Sequence, residues 1–256
     1  MARRRHSKRR GRGSSSFLYK LLSVLVICTA IIAAMTLFFR VNEIVVSGQK
    51  RYTAEEIQNA AGVELGANMY LLNKYEIARN ISGALPYIEN IRVNRKLPDT
   101  LLIEVSESGR PLAVVREDSA WLVSANGKIV EELTQRQAGD YGKITGCELL
   151  APEVGAPIAL ATEYATQQTS LLALMEALDD AGLTENVDAI RLDDLSCLNM
   201  DYAGRFTVKM AYSADYDFEL EKLKRTLANE LIQSNMTGTI DLQLKSDKVF
   251  FIPNER

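Results

Sequence analysis

Histidine is almost missing from this chain of 256 residues: the single one, His6, lies in a basic stretch at the start. The rest of the chain therefore has no imidazole for a general base, a Ser-His-Asp triad or a zinc site, which excludes most hydrolase chemistries. Cysteine is nearly as scarce. Of the three, Cys28 falls in a long apolar run, and Cys147 and Cys197 alone do not make a disulfide framework, so two small buried side chains are expected. Acid is absent from the first 20 residues, which hold Arg3, Arg4, Arg5, Lys8, Arg9, Arg10, Arg12 and Lys20. Beyond those eight, 22 basic residues face 33 acidic ones, a formal charge of −11. So acidic a remainder repels phosphate backbones, and nucleic acid is excluded as a partner. Internal repeats and low-complexity segments are lacking outside the basic stretch.

What is present first is an apolar run from Phe17 to Phe39, interrupted only by Lys20. As a helix rising about 1.5 Å per residue, it crosses a hydrocarbon core of roughly 30 Å. Lys20 can snorkel to the headgroups, and Phe17 and Tyr19 suit the interface. A cleaved leader also begins with basic residues and an apolar core, and Ala33-Ala34 offers small residues for a cut. The run is too long for one, continuing through Met35, Leu37, Phe38 and Phe39. Residues 1–16 then form a basic tail, whose seven charges from Arg3 to Arg12 orient the span with the N-terminus in the cytoplasm and attract anionic lipid.

Beyond residue 39, roughly 215 residues suffice for two small domains. The β-branched segment Val41 to Gly48 predicts a strand. Thr53 and Glu56 form a capping-box pattern that starts a helix ending at Gly62, and Asn73 starts a second helix that Pro86 ends. Tyr87 to Lys96 and Leu101 to Val105 alternate on either side of Leu97-Pro98-Asp99, which predicts a hairpin. The result is a β-α-α-β-β unit over residues 40–109.

From Leu112 the texture changes to short strands at 112–116, 120–124 and 128–133, the last two joined by an Asn126-Gly127 turn. Residues 139–159 read as irregular connection. A helix is expected over 166–181, with Leu171, Leu174, Met175 and Leu178 on one face, then strands near 187–192, 197–202 and 205–211. Asp215 or Asp217 caps a last helix with a stripe of Phe218, Leu220, Leu223, Leu227 and Leu231. Strands at 239–244 and 248–252 close the chain. The fold class is α+β: one transmembrane helix, the first unit, then a mixed β domain over 110–253 with two helices on a largely antiparallel sheet, leaving 254–256 as the end.

Three fragments superficially suit a Ser/Lys enzyme: Ser47-Gly48-Gln49-Lys50, Ser124-Ala125-Asn126 and Lys143-Ile144-Thr145-Gly146. The last carries an extra isoleucine. In the first, the serine ends a strand, whereas the S-x-x-K spacing works only on a helix face. Asp179-Asp180 and Asp193-Asp194 are adjacent in sequence and point apart, as solvated carboxylates do.

Taken together, the chain resembles the FtsQ/DivIB family of bacterial cell-division proteins, from about residue 3 to 253. The likeness is carried by Val41-x-x-Ile44-x-Val46-x-Gly48, Glu56-Ile57, Gly66-x-Asn68-Met69, Leu85-Pro86-Tyr87-Ile88 and Arg95-x-Leu97-Pro98-x-Thr100-Leu101-x-Ile103. It departs from the family in separating Glu107 from Arg110-Pro111 and in placing Ser124 where an acid is usual. The resemblance implies a POTRA domain followed by a β domain. It also implies a non-catalytic membrane scaffold at the division septum, holding FtsL and an FtsB/DivIC-type partner near septal peptidoglycan synthesis, with no cofactor and no small-molecule substrate. An envelope assembly or secretion factor and a membrane-tethered Ser/Lys hydrolase are the alternative readings.

The closing strand offers its own clue, because Val249, Phe250, Phe251 and Ile252 are apolar on both faces. A strand with one face in water alternates. Either the domain covers both faces, or a partner covers one face and the backbone edge. The second reading makes Leu244, Ser246, Asp247, Val249, Phe250, Phe251 and Ile252 the partner-binding residues. The strand beside Val41 to Gly48 is a second, weaker candidate edge.

Overall fold

A computed structural model describes residues 14–116, 119–229, 232–233, 235–244 and 248–254. Helix α1 (Ser14–Phe38) contains an apolar stretch, Phe17–Thr36, with a mean hydropathy of 2.3 and no residue buried against the protein. Such a helix is stable in lipid, where its backbone bonds are satisfied internally, and its bare apolar surface has no cover among the described residues.

The first folded unit contains β1 (Glu43–Ser47), α2 (Ala54–Ala61), α3 (Lys74–Ala84), β2 (Ile88–Lys96) and β3 (Thr100–Glu107). Its sheet runs β1-β3-β2, with β1 parallel and β2 antiparallel to the central β3. Thr53 and Glu56 close the expected capping box: the Glu56 carboxylate accepts the Thr53 amide at 2.7 Å, and the Thr53 hydroxyl accepts the Glu56 amide at 3.2 Å. Asn73 caps α3 by accepting the Tyr75 amide. Ile57 of α2 and Ile77 and Ile81 of α3 are buried against Leu101 and Ile103 of β3. Burial of each such side chain contributes about 1.5–3 kcal/mol before entropy is charged against it.

The second unit is a nine-stranded sheet with two helices. In chain order it contains β4 (Leu112–Arg116), β5 (Ser119–Val123), β6 (Ile129–Thr134), β7 (Lys143–Thr145), α4 (Ala165–Asp180), β8 (Val187–Arg191), β9 (Leu198–Tyr202), β10 (Phe206–Met210), α5 (Tyr216–Leu227), β11 (Gly238–Asp241) and β12 (Phe250–Pro253). The spatial order is β12-β11-β10-β9-β8-β7-β4-β5-β6. Antiparallel pairs dominate, but β7 lies parallel to both β4 and β8, and β11 lies parallel to β10. Leu171, Leu174 and Leu178 of α4 and Leu220 and Leu223 of α5 cover one sheet face, over Val114, Ile144, Ile190, Met200, Val208 and Ile240.

Three sequence expectations need correction. The stretch 139–159 is not wholly irregular: Lys143–Thr145 is the strand that joins the two halves of the sheet, with Ile144 in the core. Phe218 is exposed and does not belong to the buried stripe of α5, because a two-residue step from Leu220 turns a helix by about 200°. Helix α5 ends at Leu227, and Leu231 lies outside the described residues.

Where the two units meet, polar groups are paired across the junction. The half-buried Lys128 ammonium donates to the Ser82 carbonyl at 3.0 Å and is 3.1 Å from the Ser82 hydroxyl. Within the first unit, Glu107 at the end of β3 accepts the backbone amides of Lys50, Arg51 and Tyr52 at 3.0, 2.6 and 3.1 Å. Tyr52 and Tyr87 of the first unit pack against Ala113, Ala120, Leu122 and Val130 of the second.

Candidate interaction edge at the last strand

Strand β12 forms the outer edge of the large sheet and pairs antiparallel with β11, with Asp241 opposite Phe250, Ile240 opposite Phe251, Thr239 opposite Ile252 and Gly238 opposite Pro253. Residues opposite one another across a sheet share a face. Phe251 therefore joins Ile240, Val208, Met200 and Ile190 on the helix-covered face, and its ring meets Phe206 edge-on at 6.1 Å. Phe250 shares the other face with Asp241, Lys209, Asn199 and Arg191, and Ile252 shares it with Thr239, Thr207 and Asp201.

That second face is polar, and Arg191 pairs with Asp201 upon it at 2.7 Å. Phe250 and Ile252 are thus two large apolar side chains on a hydrophilic face, 53% and 59% exposed. Burying them would be favourable by the usual area-proportional term, and no described residue of the chain does so.

The backbone of β12 is half free as well. Asn254 donates its amide to the Thr237 carbonyl at 3.0 Å, so by antiparallel alternation Ile252 and Phe250 also turn their backbone groups toward β11. The N–H and C=O of Phe251 consequently face the open side. Pro253 has no N–H, which limits any added strand to a short ladder.

Two features hold β12 in place. A Cβ on Gly238 would collide with the Ile252 carbonyl and the Phe251 ring, so only glycine allows β12 to approach β11 there. The connection between the two strands is tied to α5 by Lys222, which is buried, pairs with Glu219 at 2.7 Å and donates to the carbonyls of Leu242 and Leu244 at 3.4 Å each.

Of the residues expected at the edge, Phe250, Ile252 and Leu244 are exposed, whereas Phe251 and Val249 pack partly into the main core. Ser246 and Asp247 lie outside the described residues, as do Arg3, Arg4, Arg5, Lys8, Arg9, Arg10 and Arg12. Lys222 and Gly238 were not singled out from sequence; contact with the β11–β12 connection gives Lys222 its role, and contact with β12 gives Gly238 its own.

The fragments with enzyme-like spacing are scattered. Ser47 ends β1 with Gly48 in a turn after it, and the Lys50 amide is held by Glu107. Ser124 is buried in the Asn126-Gly127 turn, its hydroxyl 2.6 Å from Asn126 Oδ1. Lys143 to Thr145 lie on β7. Among the described residues, no cluster of His, Cys, Asp and Glu is arranged to hold a metal. Cys147 and Cys197 are free thiols, and Cys197 donates to Asp194 at 3.3 Å.

The sequence profile of the FtsQ-type POTRA domain matches residues 39–108, the span of the first sheet and its helices. A cell division protein FtsQ from Geotalea daltonii is 30% identical over 227 residues, covering 85% of this chain and 77% of its own. The chain belongs to the FtsQ/DivIB family. A second FtsQ/DivIB relative, the DivIB of Clostridium botulinum, is 23% identical over 221 residues, covering 84% of this chain and 82% of its own. The FtsQ of Syntrophotalea carbinolica is 26% identical over 240 residues, with coverage of 88% and 82%. These relatives are named as cell division proteins and not as enzymes, so membership assigns this FtsQ/DivIB chain a role in the division machinery. Its one candidate N-terminal span fits a single-pass membrane protein of the septum.

Proposed function

We propose that this chain is a non-catalytic scaffold, anchored by α1 with its basic tail in the cytoplasm, that captures a partner strand on β12 outside the membrane. The supporting observation is that Phe250 and Ile252 stand exposed on an otherwise polar face at a sheet edge, beside the free backbone groups of Phe251. Strand addition uses both features: the partner's backbone completes the ladder, and its side chains cover the apolar pair. An acidic folded region without histidine offers little for bond chemistry but tolerates a protein surface.

FtsL and an FtsB/DivIC-type protein are the partners we assign, held at the septum beside the peptidoglycan synthesis machinery. The test is a photo-crosslinking amino acid placed in living cells at Ile252, at Phe250 and, as control, at the exposed Leu195. Adducts with the FtsB/DivIC-type protein from Ile252 and Phe250, but not from Leu195, are expected. Adducts from Leu195 alone would refute the assignment of the edge. Depletion should give undivided filaments; accumulation of secretory precursors instead would point to an envelope-assembly role.

A further inference from the structure

The end of the POTRA domain nearest α1 carries its own exposed apolar cluster, which the binding edge does not use. Leu65, Tyr70, Leu71 and Leu97 are all exposed, Leu71 by 83%. They come from separate segments, yet each segment is bonded to the few residues that follow α1. The Met69 amide donates to the Phe39 carbonyl at 2.9 Å, and the Tyr70 ring meets Phe39 edge-on at 5.1 Å. The Gly66 amide donates to the Val41 carbonyl at 2.7 Å, placing Leu65 beside it. On the other side, the Asn42 amide donates to Asp99 at 2.8 Å, which brings in the β2–β3 turn and Leu97.

Distance along the chain settles how high these groups sit. The apolar stretch Phe17–Thr36 has 20 residues, which at about 1.5 Å each match a hydrocarbon core of roughly 30 Å. Phe39 is three residues beyond Thr36, and the headgroup layer adds about 5–7 Å on each side. Phe39 therefore lies in that layer and Arg40 at its outer margin, with Val41 and Asn42 only one and two residues further on, so the loops bonded to Phe39, Val41 and Asn42 start at the membrane surface. Tyr70 and the leucines suit this setting, since an aromatic ring with a polar tip favours the interface and leucine favours the acyl boundary. Arg40, Arg95 and Lys96 are exposed at the same end, where their charges can meet lipid phosphates.

We infer that Leu65, Tyr70, Leu71 and Leu97 rest in the headgroup layer of the bilayer that α1 crosses, making the POTRA domain a membrane-seated base. The occupant of this surface is lipid, and the inference depends on α1 being a membrane span. Its consequence is mechanical: four contact points around one helix end fix the tilt of the POTRA domain and hence the height of β12.

The test uses the full chain in lipid nanodiscs, with Trp121→Phe removing the only tryptophan. A reporter tryptophan is then introduced as Leu71→Trp, at a site exposed enough to accept it. Lipids brominated near the glycerol end of their acyl chains should quench most of its emission, and Leu97→Trp should behave alike. Leu195→Trp, exposed in the second unit, should keep its emission, while Ile32→Trp within α1 should lose it. Unquenched emission from Leu71→Trp and Leu97→Trp, with Ile32→Trp quenched, would overturn the inference and leave the span intact; a protein partner covering these side chains would give that result. If Ile32→Trp is also unquenched, both the seat and the span are refuted.

Discussion

The Tyr87 hydroxyl donates to the Glu131 carboxylate at 2.6 Å, joining the start of the second strand of the POTRA domain to β6, the edge strand of the β domain opposite β12. Arg51 lies over the Tyr87 ring at 3.7 Å, so the phenol is held from its face and from its tip. Burial and then the bond to Glu131 push its pKa well above the ordinary value, so it remains a proton donor. This stabilisation is fully present below the unfolded pKa of about 10 and is lost only as pH rises through the higher folded value.

Tyr87→Phe keeps the ring and removes the donor. A bond to a charged acceptor contributes about 1.5–3 kcal/mol, so the folded region should melt several degrees lower. Calorimetry checks this, and an unchanged melting temperature would show that the contact is incidental.

Glu107 makes a pH-dependent tie in the same region. Burial works to raise its pKa, but the amides of Lys50, Arg51 and Tyr52 outweigh it and hold the group below the usual carboxylate range. A depressed folded pKa means the contribution is present above the unfolded value and is lost as pH falls through the folded one. Glu107→Gln should therefore cost about 1 kcal/mol at neutral pH, and the difference from wild type should shrink in acid. Denaturant melts across pH check the sign, and a gap that widens in acid would contradict it.

Gly238→Ala should push β12 off the sheet while leaving its exposed side chains chemically intact. Overpacking at a backbone contact costs about 1–3 kcal/mol, and here the cheapest relief is release of the edge strand. Hydrogen exchange should show the Ile252 and Asn254 amides losing protection, with the strands β8 to β10 unaffected. Partner capture should fall with it.

Burial also pushes the Cys147 thiol up to about 11. Against an ordinary value of 9.0, that leaves about a hundredfold less thiolate at mildly basic pH, so alkylation should slow by a similar factor in the native protein and recover on unfolding. Rapid native alkylation would show the segment around Cys147 to be open.

Local rules made most of the POTRA domain readable from sequence. The Thr53/Glu56 box, the Asn73 cap and the alternation on both sides of Leu97-Pro98 are short-range signals, and each marks the element it predicts. Strand β7 escaped because three residues between Gly142 and Gly146 have no pattern of their own; it is a strand because β4 and β8 flank it. The junction was hidden for a related reason. Tyr87 and Glu131 are 44 residues apart, and nothing local marks either as a partner of the other. At the edge, the apolar run Val249 to Ile252 was visible, but which of its side chains the domain itself covers follows only from register. The pairing with β11 sends Phe251 to the core side and leaves Phe250 and Ile252 on the polar face.

The central claim is that this pair is kept exposed for a partner, and charge substitution measures it directly. Phe250→Glu and Ile252→Glu should each weaken binding of the proposed FtsL and FtsB/DivIC-type partners, titrated in mild detergent, by about tenfold or more, as loss of an apolar anchor does. The same variants should shift the melting temperature by no more than about 2 °C, since exposed sites contribute little to folding. Undiminished binding, or melting that falls in step with binding, would contradict the account.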